Sequence, residues 1–300
     1  MKIATAAYPL DWFDDWAAFE SKARAWVSNA ADQGAELLVF PEYGAMELST
    51  LAGRNVSMDL EQSLHAVSER VPQSDAFYTK LAAEFGVHIL TPSAPVFDTD
   101  VHPDRPVNRT RLIAPNGKSA VQDKQIMTMF ERDPWDVATG SAPLTLFDTD
   151  LGKIGVLICY DSEFPLLGRA LVEAGVEYLL MPSCTEALAG YWRVRLGAMS
   201  RALEGQCVSV MASLVGSVDW STSVTETTGM GGIYGPPDTG FPSDGVIATG
   251  EIGKAGWTFA DVPRETIAHV RADGVVRNAT HWSEKEGNSS ALPVTYCDLR

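Results

Sequence analysis

Cys159 closes the apolar run Lys153-Ile-Gly-Val-Leu-Ile-Cys and is followed at once by Tyr160, Asp161, Ser162, Glu163, Phe164 and Pro165. A thiol at the carboxyl end of a buried strand, where the chain turns into a helix, stands where a nucleophile would. Taken alone, a cysteine is also a small hydrophobe that packs well. Two further apolar runs end in reactive groups of other kinds. Leu37-Leu-Val-Phe-Pro-Glu42-Tyr43 delivers a carboxylate, and Ser119-Ala-Val-Gln-Asp-Lys124 delivers an amine. In sheet proteins, strand ends and the loops beyond them hold side chains on rigid backbone beside a cleft.

A carboxylate, an ammonium and a thiol suit the hydrolysis of an amide. Its carbonyl is a poor electrophile, so attack at neutral pH needs a strong nucleophile, a proton acceptor and donors for the oxyanion of the tetrahedral intermediate. A free thiol, with a pKa of about 8.5, needs a neighbouring base or cation to react fast. Glu42 would take the proton of Cys159 and return it to the departing amine. Lys124, with the backbone N–H of Tyr160, would stabilise the oxyanion. This chemistry requires no histidine, metal or cofactor.

Pro41-Glu42-Tyr43, the stretch from Asp123-Lys124 to Glu131, and Gly155-Val-Leu-Ile-Cys159-Tyr160-Asp161 together resemble the signature of the nitrilase superfamily of carbon-nitrogen hydrolases. The resemblance runs from Lys2 to roughly Arg271 and implies an α/β fold, a four-layer αββα sandwich. It also implies a second glutamate that holds the lysine and the substrate. Glu131 is the candidate, with Asp133 and Asp136 as alternatives. Kin of this type commonly dimerise through the helices after the nucleophile, here Pro165–Ala174 and Trp192–Glu204, so a homodimer or higher homo-oligomer is expected.

True nitrilases usually carry Trp and Glu after the cysteine, whereas Cys159 is followed by Tyr160 and Asp161, the form common among amidases. The resemblance therefore implies a small linear amide cleaved through a thioester, with release of ammonia. An N-carbamoyl amino acid or amine is the rival substrate; a nitrile and acyl transfer to an amine are less favoured, as is a catalytically silent binding scaffold. Glu163 stands where many relatives carry arginine, so their substrate does not carry over to this chain. By the same resemblance Ser183 and Cys184, in Met181-Pro-Ser-Cys184-Thr185-Glu186, line the pocket, although Cys184 also reads as a packing residue. Tyr43, Trp135, Tyr160 and Tyr191 would wall the site, and Arg193 or Arg195 would meet a substrate carboxylate.

Composition narrows the alternatives. The chain has 300 residues, 45% hydrophobic and 21% charged, ordinary values for a globular enzyme. A formal net charge of −16 disfavours nucleic acid and anionic membranes, whose recognition depends on Lys and Arg clusters. Cys159, Cys184, Cys207 and Cys297 are far apart, and the histidines form no metal-ligand pair, so neither disulfides nor zinc are expected. No run approaches a membrane helix, and Met1–Ala6 opens into a strand pattern rather than an apolar leader. A cytoplasmic protein is expected.

Stepping along the chain, strands and helices alternate. Strands are expected over Lys2–Tyr8, Glu36–Phe40, Val87–Thr91, Gln206–Ser213 and Lys153–Cys159, among others. Helices are expected over Trp12–Gln33, Leu60–Val71, Asp75–Phe85, Pro165–Ala174, Trp192–Glu204 and Arg264–Arg271. Asn116-Gly117 reads as a hairpin turn whose second arm feeds Lys124. A single domain over residues 1–300 is expected, with 272–300 as a C-terminal extension and 235–242 as a loop shaping the entrance.

Overall fold

The computed structural model describes residues 1–140, 143–284, 295 and 297; most of the final stretch of the expected extension lies outside them. In chain order the strands are β1 (Lys2–Tyr8), β2 (Leu37–Val39), β3 (His88–Leu90), β4 (Ala94–Val96), β5 (Val107–Ile113), β6 (Ser119–Asp123), β7 (Leu146–Thr149), β8 (Gly152–Val156), β9 (Tyr178–Ser183), β10 (Val208–Leu214), β11 (Gly216–Ser217), β12 (Glu226–Thr227), β13 (Gly232–Tyr234), β14 (Val246–Thr249) and β15 (Gly256–Asp261). The helices are α1 (Trp16–Asp32), α2 (Arg54–Ser57), α3 (Leu60–Phe85), α4 (Met129–Arg132), α5 (Pro165–Glu173), α6 (Leu188–Gly205), α7 (Arg264–Asp273) and α8 (Asn278–His281).

The main sheet runs β4-β5-β3-β2-β1-β10-β9-β8-β7; the strands from β3 to β8 along this path are parallel to one another, and β5 and β7 flank them in antiparallel fashion. At β1 and β10 it divides. The carboxyl end of β1 pairs with β10 at Ala7 and Tyr8, while the same strand pairs with β15 in antiparallel fashion from Lys2 to Ala7. β10 in turn takes β13 as a second partner, and β13 takes β14. The two halves thus splay apart from a shared seam and face one another.

Side-chain alternation then fixes the layers, because successive residues of a strand point to opposite faces. Ile3, Leu37, Val39 and Leu90 share a buried cluster with Val156, Leu179 and Met181 of the other half. Their neighbours Ala4, Leu38 and Ile89 share another with Phe19, Ala23 and Val27 of α1 and Tyr78 and Leu81 of α3. Tyr191, Val194, Ala198 and Ala202 of α6 cover the far face of the second half. The fold is the four-layer αββα sandwich that the resemblance implied. Among the described residues, no helix is long and apolar enough to cross a membrane.

Several elements differ from the sequence reading. Leu60–Phe85 is one helix rather than two, with Pro72 inside it. A proline there removes one backbone hydrogen bond, but the buried stripe of Leu64, Val67, Phe77, Tyr78 and Leu81 continues across it, and burial of that stripe holds the helix together. Gly44–Ala52, unassigned in the sequence, forms a fully wound 3₁₀ segment whose residues are nearly all buried. α6 begins at Leu188, ahead of the expected Trp192. Cys159 does not end a strand: β8 stops at Val156, and after Leu157 and Ile158 the cysteine opens a 3₁₀ turn that reaches Glu163.

Candidate active site

Two left-handed residues and the end of the antiparallel strand β6 bring the reactive groups together. After β2 the chain bends at Tyr43, whose φ of 55° is left-handed. The bend is held from outside, since the Tyr43 N–H donates to Ser93 Oγ at 2.9 Å and Ser93 N–H donates to the Pro41 carbonyl at 3.1 Å. Gly44 allows this approach, because a Cβ there would lie 2.9 Å from Pro92 Cβ. Lys124 directly follows β6, its N–H donating to the Asn108 carbonyl at 2.9 Å and its carbonyl accepting from Gly140 at 3.0 Å. Cys159 is itself left-handed, at φ 48°. A β-carbon in that region costs conformational energy, which the surrounding structure offsets. Here the Ser162 hydroxyl donates to the Cys159 carbonyl at 2.6 Å, and Asp161 N–H donates to Ile158 at 3.0 Å.

These bends converge on one buried ammonium. Lys124 Nζ lies 2.7 Å from Glu42 Oε1 and 2.6 Å from Glu131 Oε2. Glu42 Oε1 also accepts from Asn108 Nδ2 at 2.9 Å, and Oε2 accepts from Cys184 N–H at 2.9 Å. Cys159 Sγ lies 3.9 Å from the carbonyl oxygen of Cys184, the residue whose N–H donates to Glu42 Oε2, close enough for the Glu42 charge to act on the thiol. All four side chains are buried, Lys124 and Glu42 at 1% exposure and Cys159 at 5%. An ammonium has three protons. Two are directed at the carboxylates, which leaves the third for a developing oxyanion.

The protonation pattern follows from burial and charge count. Burial pushes the Glu42 carboxyl above its usual range, opposed by Lys124 and assisted by Glu131. Burial works against the charge on Lys124, but Glu42 and then Glu131 outweigh it and hold the ammonium well above its ordinary value. For Glu131 burial also favours the neutral form, yet Lys124 and the Thr128 N–H prevail and lower its pKa. The Cys159 thiol is pushed well up, by burial first and by the Glu42 charge second. Cys159 therefore rests as a thiol rather than a thiolate.

The other expected residues fall into distinct groups. Glu131 sits in α4 behind Thr128, whose N–H and hydroxyl both donate to Oε2, at 2.9 and 2.8 Å. Asp133 and Asp136 are exposed, and Asp136 pairs with Arg105 instead. Tyr43 is fastened rather than open: its hydroxyl donates to Glu131 Oε1 at 2.8 Å, and its ring meets Trp135 edge-on at 4.8 Å. Ser183 spends its hydroxyl on the Ala212 carbonyl at 2.7 Å, between β9 and β10, so packing accounts for it. Cys184 contributes backbone at the site. Tyr160 is partly exposed against Phe164, Arg193 faces Glu163 at 3.4 Å, and Arg195 lies over the rings of Trp192 and Tyr234. Among the described residues no His, Cys, Asp and Glu cluster could hold a metal ion.

Asn108 is the residue that sequence reading missed. Fully buried in β5, it donates to Glu42 and, at 3.2 Å, to Glu131, while its Oδ1 accepts from Ser93 Oγ at 2.6 Å. The Ser93 bond fixes the amide so that both N–H groups face the carboxylates. The available signal was an amide at an inward position of an otherwise ordinary strand.

Comparison with known proteins places these features. The family model described as carbon-nitrogen hydrolase matches residues 2–237. The probable hydrolase YhcX of Bacillus subtilis (strain 168) is 29% identical over 278 residues, which cover 92% of this chain and 52% of YhcX. The chain thus spans about half the length of that curated relative. Among solved structures, Nit3 of Saccharomyces cerevisiae, a member of branch 10 of the nitrilase superfamily, superposes with a TM-score of 0.71 at 22% identity, over 91% of this chain and 93% of Nit3. A mutant of the amidase from Nesterenkonia sp. AN1, in which acrylamide has added to the active-site cysteine, gives a TM-score of 0.65 at 19% identity, over 91% and 97% of the two chains. These likenesses share the sandwich.

Proposed function

The chain belongs to the carbon-nitrogen hydrolase family, and from that premise we propose that it cleaves a small linear amide through a thioester on Cys159 and releases ammonia. The observation that carries this reading is the meeting of the Glu42 carboxylate, the Lys124 ammonium and the Cys159 thiol in one buried site. Glu42 takes the thiol proton as sulfur attacks the carbonyl carbon. The carbonyl oxygen becomes an oxyanion facing the third proton of Lys124 and the N–H of Tyr160. As the C–N bond breaks, Glu42 returns its proton to the departing nitrogen, leaving the thioester. Water then attacks, Glu42 accepts its proton, and the acid leaves as sulfur regains a proton. Glu131 and Asn108 hold Lys124 and Glu42 in register throughout.

The choice of an amide over a nitrile rests on Tyr160 and Asp161 after the cysteine, and the Nesterenkonia neighbour is an amidase. A panel of aliphatic, aromatic and amino acid amides, N-carbamoyl amino acids and nitriles, scored for ammonia release, tests it. Turnover of nitriles alone would overturn the amide assignment. Iodoacetamide should label Cys159 faster than the buried Cys207. The reading extends to a homodimer through α5 and α6, where Leu166, Trp192, Leu196 and Leu203 stand exposed. A solution mass equal to one chain would remove that extension.

A further inference from the structure

Asp161 lies two residues beyond the thiol and is buried at 1% exposure. Among the described residues its carboxylate makes no ion pair. Instead Oδ1 accepts from Ile126 N–H at 2.8 Å and from Gln125 N–H at 3.2 Å, and Oδ2 accepts from Gln125 at 3.2 Å and from Ile158 N–H at 3.2 Å. Gln125 and Ile126 directly follow Lys124, and Ile158 directly precedes Cys159. One side chain therefore joins the backbone that presents the ammonium to the backbone that presents the sulfur. Resting on the hydrolase reading above, we propose that Asp161 is a positioning residue whose ionised carboxylate ties the Lys124 segment to the Cys159 turn and sets the spacing between the two groups.

The clamp works only when all its oxygen lone pairs are acceptors. A protonated carboxyl presents an O–H toward a cluster of N–H donors and loses part of the attachment. Burial pushes the Asp161 carboxyl up to about 7, with the Lys124 charge opposing. Lys124 is the charged group that faces it. On its own turn lie Cys159 and Glu163, and from α6 Arg201 donates to the Ser162 carbonyl at 3.1 Å while paired with Glu204 at 2.8 Å, and Arg193 reaches Glu163. The clamp therefore loosens as pH falls through neutrality.

Asp161→Asn in the full chain tests this, with steady-state kinetics, iodoacetamide labelling of Cys159 and hydrogen exchange over residues 124–127. The amide nitrogen of Asn points a donor at donors, so kcat should fall by roughly a hundredfold with little change in KM, since small misplacements of reacting groups cost about that much. Labelling should slow in parallel, exchange over 124–127 should speed up, and Asp161→Glu should recover part of each. In the unmutated protein, protection of residues 124–127, corrected for intrinsic exchange, should weaken as pH drops through about 7. Wild-type kinetics and protection in Asp161→Asn would overturn the proposal. Should that variant not fold, pH-independent protection in the unmutated protein would do the same. If no amide is hydrolysed yet protection follows pH, the hydrolase reading fails and the clamp stands.

Discussion

Glu47 and Glu42 are close in sequence, both buried, and each accepts from a lysine at 2.7 Å. Each sits beside a tyrosine hydroxyl system as well: Tyr8 donates to Glu47 at 2.7 Å, and Tyr43 donates to Glu131 at 2.8 Å. Burial raises both carboxyls. The clusters differ in how far their bonding is closed. Around Glu47, Lys22 also binds Asp11 and the Pro9 carbonyl, the Asp11 N–H donates to the same carboxylate oxygen that Lys22 holds, and Tyr8 occupies the other. Around Glu42, two carboxylates compete for one ammonium, and a thiol lies within the field of the one that burial raises. A buried Glu–Lys pair thus marks a site only when a proton acceptor and a cation are left with something further to do.

The largest expected effect tests that distinction at its centre. Cys159→Ala should lower ammonia release by at least about a thousandfold, because the nucleophile is gone, without shifting the thermal midpoint. Normal turnover would make the Glu42 cluster as structural as the Glu47 cluster.

Removing each lysine should separate the clusters next. Lys124→Met strands two buried carboxylates and should cost about 3–5 kcal/mol of stability together with all activity. Lys22→Met should cost roughly 1–3 kcal/mol, since Glu47 keeps two other donors, and should leave kcat/KM unchanged. Denaturant titration beside the kinetic assay reads both. Equal activity loss in the two variants would erase the contrast.

The tyrosines give a finer version. Tyr43→Phe removes one donor from charged Glu131 and should lower kcat by about tenfold, in line with roughly 1.5 kcal/mol for such a bond. Tyr8→Phe should lower only the unfolding free energy.

The smallest effect is in pH. A carboxyl raised in the folded state holds its proton more tightly there than in the unfolded chain. Its stabilising contribution is full below the ordinary carboxylate range and is lost as pH rises through the folded value. Glu47→Gln should flatten that slope in stability. The fall of kcat/KM with decreasing pH, to which the proposed base Glu42 and the Asp161 clamp both contribute, should persist unchanged. A kinetic limb that disappears with Glu47→Gln would assign the base wrongly.

The residues that sequence made legible are those at the ends of apolar runs. Glu42, Lys124 and Cys159 each follow a strand, and the local pattern announces where a strand stops even when, as at Val156, it stops early. Glu131 was legible only through the family resemblance, which left Asp133 and Asp136 as alternatives, and the capping role of Thr128 explains why it, rather than Asp133, turns inward. Asn108 was not legible, because its meaning depends on Ser93 and Glu42, residues that only the folded sheet brings beside it. Tyr43 was read as a pocket wall for the same reason: a tyrosine shows its ring in sequence but not the partner of its hydroxyl. The four-layer arrangement needed resemblance, since alternating strands and helices fit a doubly wound sheet equally well. Pro72 shows the converse, a strong local stop overridden by a long buried stripe.

The pairing of β15 with β1 bears on how the protein can be handled. The family match closes at residue 237, but the strand that lines Lys2–Ala7 comes from residues 256–261. A recombinant piece trimmed to the matched boundary would uncover one edge of the first strand from Lys2 to Ala7, while the other edge stays paired with β2. Such an edge invites intermolecular strand addition, so cloning limits should be drawn beyond α7 rather than at the end of the recognisable homology.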